Sequence, residues 1–432
     1  METTSLLHDP AFWLLVLFAI PLILRVPIAL ALGFSALVVV WQWDLGFSML
    51  SYNFFAGIAK FPLLAIPFFI LAGYIMERSG IAARIVALME ALVGSMTGGL
   101  AVATVAVATF WGAVSGSGPA TVAALGLILI PGMARAGYDK AFAAATVSVT
   151  SGLAIVIPPS IAFIVYGSVA DVSVPALFAA GFVPGIVVAL FIMAAVLIIS
   201  RKRGYRGQPS GKSVGTALKE AFWGVMTPVV ILGGIYGGVF TPTEAAGVAA
   251  IYGFVVGTFV YRDLKLKDLP QLLMNSGKGT AMVMIIVGAA SSFGWILTSA
   301  RIPDVIAAFM VSLTDSPFGI LLVINIFLLI VGCLMDVTAA IIILTPIFLP
   351  IISQFGIDPI HFGIIMTVNL AIGQSTPPLG VNLFVSCGIA KISIEENARA
   401  MVKFLIANII ALFLITYIEP ISLTIPRLMG LM

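Results

Sequence analysis

The sequence predicts an all-α polytopic membrane protein, built as an inverted structural repeat with about ten transmembrane helices and two re-entrant helical hairpins. Three observations carry this expectation. The 432 residues are 61% hydrophobic and 9% charged, with a mean hydropathy of +1.19; a soluble domain is about half apolar and about a quarter charged. Apolar segments of spanning length recur along the whole chain, and a spaced pattern of Pro, Gly and Asp in the first half returns in the second. With 21 basic and 18 acidic side chains the chain cannot cover a water-facing surface of its size. That argues against a secreted enzyme, a nucleic-acid binder or a disordered scaffold. Cys333 and Cys387 lie in apolar stretches and read as small core residues, not as a disulfide or metal pair.

The spans come first. A spanning helix needs about 20 mostly apolar residues. Ten segments qualify: 6–24, 26–43, 61–76, 140–166, 175–200, 221–240, 242–260, 281–300, 359–390 and 400–420. No Lys or Arg precedes the first apolar run, so residues 11–24 read as the core of a retained span with its N-terminus translocated. Two further apolar regions, 94–134 and 316–352, are too long for one crossing. Each is interrupted, by Ser115-Gly116-Ser117-Gly118-Pro119 and by Asp336-Val337-Thr338. A hairpin that enters and leaves on one side fits both, with its tip buried in protein or lining a cavity.

Charge tests this arrangement. With the N-terminus outside, the cytoplasmic side receives Arg25, Arg78, Arg84, Arg135, Lys140, the 201–219 loop, the 262–278 loop, Lys391, Arg399 and Lys403. Only Lys60, Arg301 and Arg427 fall outside, so 18 of the 21 basic residues obey the positive-inside rule. Both termini are then periplasmic. Reading either long region as one crossing inverts everything downstream and destroys the asymmetry.

Five crossings precede the basic loop and five follow it. An odd number per half forces the halves, 1–215 and 216–432, into opposite orientations. Pro131, Gly137, Asp139 and Pro158-Pro159 recur 219 residues later as Pro350, Gly356, Asp358 and Pro377-Pro378. At an offset of 221, Gly73, Ile81, Ala87, Met89 and Gly98 recur as Gly294, Ile302, Ala308, Met310 and Gly319. Inverted repeats with interrupted helices are the mark of secondary transporters, with binding near the midplane.

Each half carries such a helix. Pro158-Pro159 follows Ser148, Thr150, Ser151 and Gly152 in 140–166; Pro377-Pro378 follows Asn369, Gly373, Gln374, Ser375 and Thr376 in 359–390. Paired prolines remove amide donors and unwind the helix. The freed carbonyls and hydroxyls suit a cation. The resumed half-helices, at Ser160 and at Leu379-Gly380 with Asn382 beyond, offer N–H groups to an anion. Asp336 is the one acid expected deep in the membrane and away from every base, a position that is functional by default. Oxygen ligands suit the hard cation Na⁺. One site would combine Ser115 and Ser117 with Thr150, Ser151 and Gly152. Its symmetry mate would combine Asp336 and Thr338 with Asn369, Gln374 and Thr376. Pro158, Pro159, Ser160, Pro377, Pro378, Gly380 and Asn382 would border the substrate.

Other features have plainer readings. Thr241-Pro242-Thr243-Glu244 reads as a helix cap, and His361 as packing or capping. Segments 44–60 and 263–278 read as helices at opposite interfaces. Arg201–Lys212 suits anionic lipid, although a topological role suffices.

Taken together, GAVSGSGPATVAALGLILIPGM (112–133), IPPS (157–160), FTPTEAA (240–246) and STPPLGVNLF (375–384) resemble the large membrane subunit of tripartite ATP-independent periplasmic (TRAP) transporters. The resemblance covers essentially the whole chain. It implies a sodium-driven importer of small organic anions in the bacterial inner membrane, working with a small four-helix membrane subunit and a periplasmic substrate-binding protein. It also implies an elevator, in which both hairpins and both broken helices move against a scaffold. Sodium sites at the hairpin tips would match Ser115, Ser117 and Asp336. Two alternatives stand beside it. One is a stand-alone sodium:anion symporter. The other is an intramembrane hydrolase with Ser115 or Ser117 as nucleophile, which would require a base within reach, the only histidines being His8 and His361.

Overall fold

The computed structural model describes residues 9–24, 26–207, 209–314, 316–378 and 380–432. His8, Arg25 and Leu379 lie outside the described residues. Among the described residues every regular element is a helix and there is no strand. Nine helices among them are long and apolar enough to cross a bilayer, or ten if Lys140–Val156 and Ile161–Ala170, bent by 41°, form one span.

The first half runs α1 (Pro10–Ile23), α2 (Ile28–Gln42), α3 (Phe47–Ile58), a 3₁₀ turn (Phe61–Leu64), α4 (Ala65–Arg78), α5 (Ile81–Val93), α6 (Gly99–Ser115), α7 (Gly118–Arg135), α8 (Lys140–Ser151), α9 (Leu153–Val156), α10 (Ile161–Ala170) and α11 (Val174–Arg203). The second runs α12 (Val214–Tyr236), α13 (Pro242–Val255), α14 (Leu269–Ser299), α15 (Ile302–Leu313), α16 (Pro317–Leu334), α17 (Val337–Gln354), α18 (Pro359–Gly373), α19 (Val381–Ala390), α20 (Ile394–Tyr417) and α21 (Pro420–Leu428).

The recurring residues occupy the same local structures. Gly137 (φ 84°) and Gly356 (φ 66°) make left-handed turns after α7 and α17. Asp139 then caps α8 by accepting from Phe142 N at 2.9 Å, and Asp358 caps α18 by accepting from Ile360 N at 2.7 Å, which satisfies otherwise orphaned amides. Both ends of α17 lie 219 residues after those of α7. The Pro158-Pro159 and Pro377-Pro378 bonds are both cis.

The two interrupted regions double back. Thr104 near the start of α6 meets Met133 near the end of α7, Oγ1 to Sδ 3.6 Å. Phe327 of α16 meets Phe348 of α17 edge-on, with centroids 5.7 Å apart. Each pair is therefore a hairpin, tipped at Gly116-Ser117 and at Met335-Asp336. The legs have 17 or 18 residues, about 26 Å at 1.5 Å per residue. Whatever depth the tips reach, the chain leaves on the side it entered.

Long-range contacts join segments that the charge count expects on the same side. On one face Arg84 pairs with Asp263 at 2.6 Å and Arg203 with Asp139 at 3.5 Å, while Tyr138 packs on Tyr205 at 4.4 Å. On the other, Lys60 Nζ donates to Ser168 O at 2.5 Å and Tyr166 OH to Pro359 O at 2.6 Å. Thr241 and Glu244 form the expected cap, Glu244 Oε2 accepting from Thr241 N at 2.8 Å.

Several expectations need correction. Segment 263–278 is not a separate interfacial helix: from Leu269 it runs unbroken into the following span as the 31-residue α14. Its only proline, Pro270, sits in the first turn, where it is tolerated. The corresponding stretch of the first half does break, after Ile58, where Pro62 opens the 3₁₀ turn. The 221–240 span starts earlier, at Val214, and the 400–420 span is Ile394–Tyr417 followed by α21. The amphipathic helices α5 and α15, which lead into the hairpins, were not expected.

The interrupted helices sit at the centre. Every residue from Phe142 to Ser168 is buried, as is every residue from Ile360 to Ser375. Protein thus encloses the first break and the helix leading into the second. The two breaks differ: 157–160 is sealed, whereas Thr376 and Pro377 are half-buried and Pro378 is exposed.

Candidate functional site

The site begins with two helices that unwind and redirect their carbonyls. At the end of α8 the Gly152 N–H bonds Val149 O at 3.2 Å instead of reaching four residues back to Ser148. Ser148 O is thereby released, and it accepts from Ser375 Oγ at 2.9 Å and from Asn382 Nδ2 at 3.5 Å. At the end of α18 the Ser375 N–H likewise tightens onto Ile372 O at 3.1 Å, releasing Ala371 O. That carbonyl faces Gly152, where an added Cβ would lie 3.1 Å from it. Each broken helix therefore turns a freed carbonyl toward the other.

The hairpin tips close on this centre. A Cβ at Gly116 would lie 3.3 Å from Pro159 O and 3.4 Å from Ile161 N, so the first tip covers the start of α10. One at Gly118 would lie 2.7 Å from Gln374 Oε1 and 2.9 Å from Asn382 Nδ2. The first tip thus also rests on the second broken helix. At the second tip Asp336 caps α17, its Oδ1 accepting from Thr338 N at 2.8 Å. Its Oδ2 accepts from Gln374 Nε2 at a long 3.4 Å. Gln374 consequently bridges the hairpins, amide nitrogen toward the Asp336 tip and amide oxygen beside the Gly118 tip. Among the described residues no Lys or Arg pairs with Asp336; the five ion pairs lie in loops and at helix ends.

The residues singled out from sequence divide accordingly. Asp336, Thr338, Gln374, Gly380 and Asn382 are brought together, although the Asn382 N–H is already taken by Gln374 O at 3.0 Å. Thr376 Oγ1 turns to Ile372 O at 2.8 Å. Asn369 is engaged elsewhere, donating to Asn325 Oδ1 at 2.6 Å and to Ile365 O at 2.8 Å. In the first half, Ser115 Oγ donates to Ser117 O at 3.3 Å. Thr150 Oγ1 and Ser151 Oγ donate back along their own helix, to Thr146 O and Val147 O, each at 2.7 Å. Ser160 Oγ donates to Ile155 O. The hydroxyls of Thr150 and Ser151 are therefore spent within α8, whereas Ser148 Oγ is buried without a partner. Ser115 faces a carbonyl and not a base, and His361, the one histidine among the described residues, lies with Nε2 against Thr416 O at 3.2 Å, so it is not placed as a base for Ser115.

The cation question turns on unpaired acceptors. Gln374 Oε1, Asn382 Oδ1 and Asn369 Oδ1 are buried without a protein donor. Buried acceptors left so are costly; Gln374 Oε1 and Asn382 Oδ1 both flank Gly118 at the first tip, while the Asn369 amide is bonded to Asn325 and Ile365. No cluster of His, Cys, Asp and Glu suited to a transition metal occurs among the described residues. Sequence reasoning did not identify the cross-half role of Ser148 and Ser375 or the part played by Asn325.

Two hairpins whose tips meet two interrupted helices inside a helical bundle define a polytopic membrane permease of the secondary-transporter class. Residues 14–421 match the family described as "Tripartite ATP-independent periplasmic transporter, DctM component". The chain belongs to this family; it is a large permease component and not an enzyme. It is 44% identical over 384 residues to the C4-dicarboxylate TRAP transporter large permease protein DctM of Pseudomonas aeruginosa, covering 88% of this chain and 90% of that protein. It is 43% identical over 419 residues to the isethionate TRAP transporter permease protein DctMQ of Oleidesulfovibrio alaskensis, covering 96% of this chain and 66% of that longer protein. It is 35% identical over 419 residues to the sialic acid TRAP transporter large permease protein SiaM of Vibrio cholerae, covering 96% of this chain and 97% of that protein. In fold it is similar to the crystal structure of the Alcanivorax borkumensis YdaH transporter, with a TM-score of 0.63 at 15% identity, covering 87% of this chain and 89% of the other.

Proposed function

We propose that the chain is the permease of a sodium-driven importer of small organic anions across the bacterial inner membrane. It works with a small four-helix membrane subunit and a periplasmic binding protein. The carrying observation is that one side chain, Gln374, links both hairpin tips at the freed carbonyls of both broken helices. Asp336, Gln374 and the unwound backbone would hold Na⁺ as coupling cargo. Binding there replaces the long Gln374–Asp336 bond and sets the tips against the breaks. The anion site lies between the half-helix starts near Ser160 and Gly380, bordered by Pro158, Pro159, Pro377, Pro378 and Asn382.

In this reading 1–215 and 216–432 are inverted copies. Hairpins and broken helices move as one body against the remaining helices, and both termini are periplasmic. The opening at Thr376–Pro378, opposed to the sealed 157–160 break, supports an access path from one edge. The relatives transport C4-dicarboxylates, isethionate or sialic acid by name, which supports an anionic substrate.

The test is uptake in proteoliposomes containing permease, small subunit and binding protein, with radiolabelled C4-dicarboxylate, isethionate and sialic acid as probes. Uptake of one probe, only under an inward Na⁺ gradient and only with all three components, is expected. Full uptake by the permease alone would make it a stand-alone symporter. Uptake indifferent to Na⁺ would remove the sodium reading.

A further inference from the structure

Two segments far apart in sequence meet in one basic corner. Arg135 lies in the last turn of α7, and Arg201, Lys202 and Arg203 lie in the last turn of α11; Lys140 opens α8, and Arg206 follows α11. Tyr205 clasps the two segments. Its hydroxyl oxygen lies 3.2 Å from Asp139 N, which donates to it, and 3.2 Å from Arg203 Nη1. Its ring packs on Tyr138 at 4.4 Å and on Phe142 at 5.4 Å. Arg203 also pairs with Asp139 at 3.5 Å.

The charges in this corner do not balance. Residues 135–140 and 201–206 hold six basic side chains and one acid, Asp139, which Arg203 takes. Arg135, Lys140, Arg201, Lys202 and Arg206 are exposed and pair with no acid among the described residues. Like charges gathered in this way repel one another and attract a counter-charge. Local structure does not require them. Lys140 sits at the positive end of the α8 dipole, where a cation is disfavoured. The second half builds the same turn without them. There Gly356 keeps the left-handed turn and Asp358 the cap, while Gln354 and Pro359 stand 219 residues after Arg135 and Lys140, and 420–425 contains no basic residue. Membrane topology calls for basic residues in a loop, but not for two segments clasped by a tyrosine. Apolar surface adjoins the charge: Leu127 of α7 is 64% exposed and Ile198 of α11 is 55% exposed, within about two turns of the basic ends.

We propose that this corner binds the headgroup of an anionic glycerophospholipid, its phosphodiester held by Arg135, Lys140, Arg201, Lys202 and Arg206 and its chains lying along the apolar faces of α7 and α11. Cations at one end and apolar surface at the other suit a lipid better than a soluble anion. The corner joins the first hairpin to the first broken helix, so the lipid would contact the part of the chain that carries the candidate site. The proposal needs only the membrane assignment and does not depend on the sodium reading.

The test titrates the purified permease in detergent with dioleoylphosphatidylglycerol or, separately, with dioleoylphosphatidylcholine, and counts bound lipids by native mass spectrometry. The two lipids share their chains and differ in net charge. The parent should bind its first phosphatidylglycerol at least about tenfold more tightly than phosphatidylcholine. A triple variant, Arg135→Gln with Arg201→Gln and Lys202→Gln, should lose that preference. A triple that removes the same charge from the 262–278 loop, Lys265→Gln with Lys267→Gln and Lys278→Gln, should keep it. Tyr205→Leu retains every charge but opens the clasp, and it should weaken phosphatidylglycerol binding severalfold. Equal affinity of the parent for both lipids would overturn the proposal, as would equal losses in the two triples, which would mean that diffuse charge suffices. A Tyr205→Leu variant that binds like the parent would also overturn it. Soluble glycerol phosphate, an anionic headgroup without chains, should compete weakly; binding as tight as that of the lipid would assign the corner to a soluble anion and overturn the lipid reading.

Discussion

Replacing Gly118 by alanine probes the junction between the halves with a single methyl group. Gly118 opens α7 and is not among the glycines with positive φ, so alanine suits the backbone, and helix propensity alone would favour the variant. The methyl would nevertheless lie 2.7 Å from Gln374 Oε1 and 2.9 Å from Asn382 Nδ2. Neither amide swings freely, since Gln374 Nε2 is held by Asp336 Oδ2 and Asn382 Nδ2 by Ser148 O. Either the first tip lifts or these bonds break. Overpacking of this kind costs about 1–3 kcal/mol, and each broken bond about 0.5–1.5 kcal/mol. At about 1.4 kcal/mol per factor of ten, Na⁺-driven uptake should fall roughly ten- to a hundredfold if the strain acts on the loaded site. The assay is initial uptake in proteoliposomes against Na⁺ concentration, with membrane insertion checked separately. Parental uptake at a parental half-saturating Na⁺ would refute the reasoning, because it would mean that the first tip need not touch Gln374 or Asn382.

Three further outcomes are expected. Asp336→Ala should abolish Na⁺-driven uptake while leaving membrane insertion normal; unchanged uptake would remove Asp336 from the coupling site. In a background without Cys333 and Cys387, a cysteine at Thr376 should react with a small maleimide and one at Ile157, 5% exposed, should not; equal labelling would contradict the difference between the breaks. Cysteines at Arg206 and Asp171 should label from opposite sides of an intact membrane, and labelling from one side would break the topology.

Much of the fold was legible because its punctuation is local. Gly116-Ser117 and Asp336 interrupt apolar runs that are otherwise continuous, and each interruption is a hairpin tip. Asp139 and Asp358 cap the helices that follow left-handed glycines. Paired prolines mark both breaks. Less was legible where charge masks a helix. Arg84 and Glu90 interrupt the apolar run of α5, and Gly277-Lys278-Gly279 that of α14, although the helix continues through both. The direction of Thr150 and Ser151 had a readable signal: a hydroxyl inside a helix defaults to a carbonyl of the preceding turn. The pairing of Ser148 with Ser375 and Asn382 had none. It joins residues more than two hundred positions apart, and periodicity along one helix says nothing about which turn of another it meets.

Direct imaging of the second tip bears most closely on the central claim, that the broken backbones of the two halves hold the coupling ion between them. Paired cryo-electron microscopy maps of the permease in nanodiscs, one in sodium and one in choline, should show density beside Asp336 and the Gln374 oxygen in sodium alone, with Gln374 displaced from Asp336. Identical maps, with the Gln374–Asp336 bond kept and no density at either tip in sodium, would contradict it.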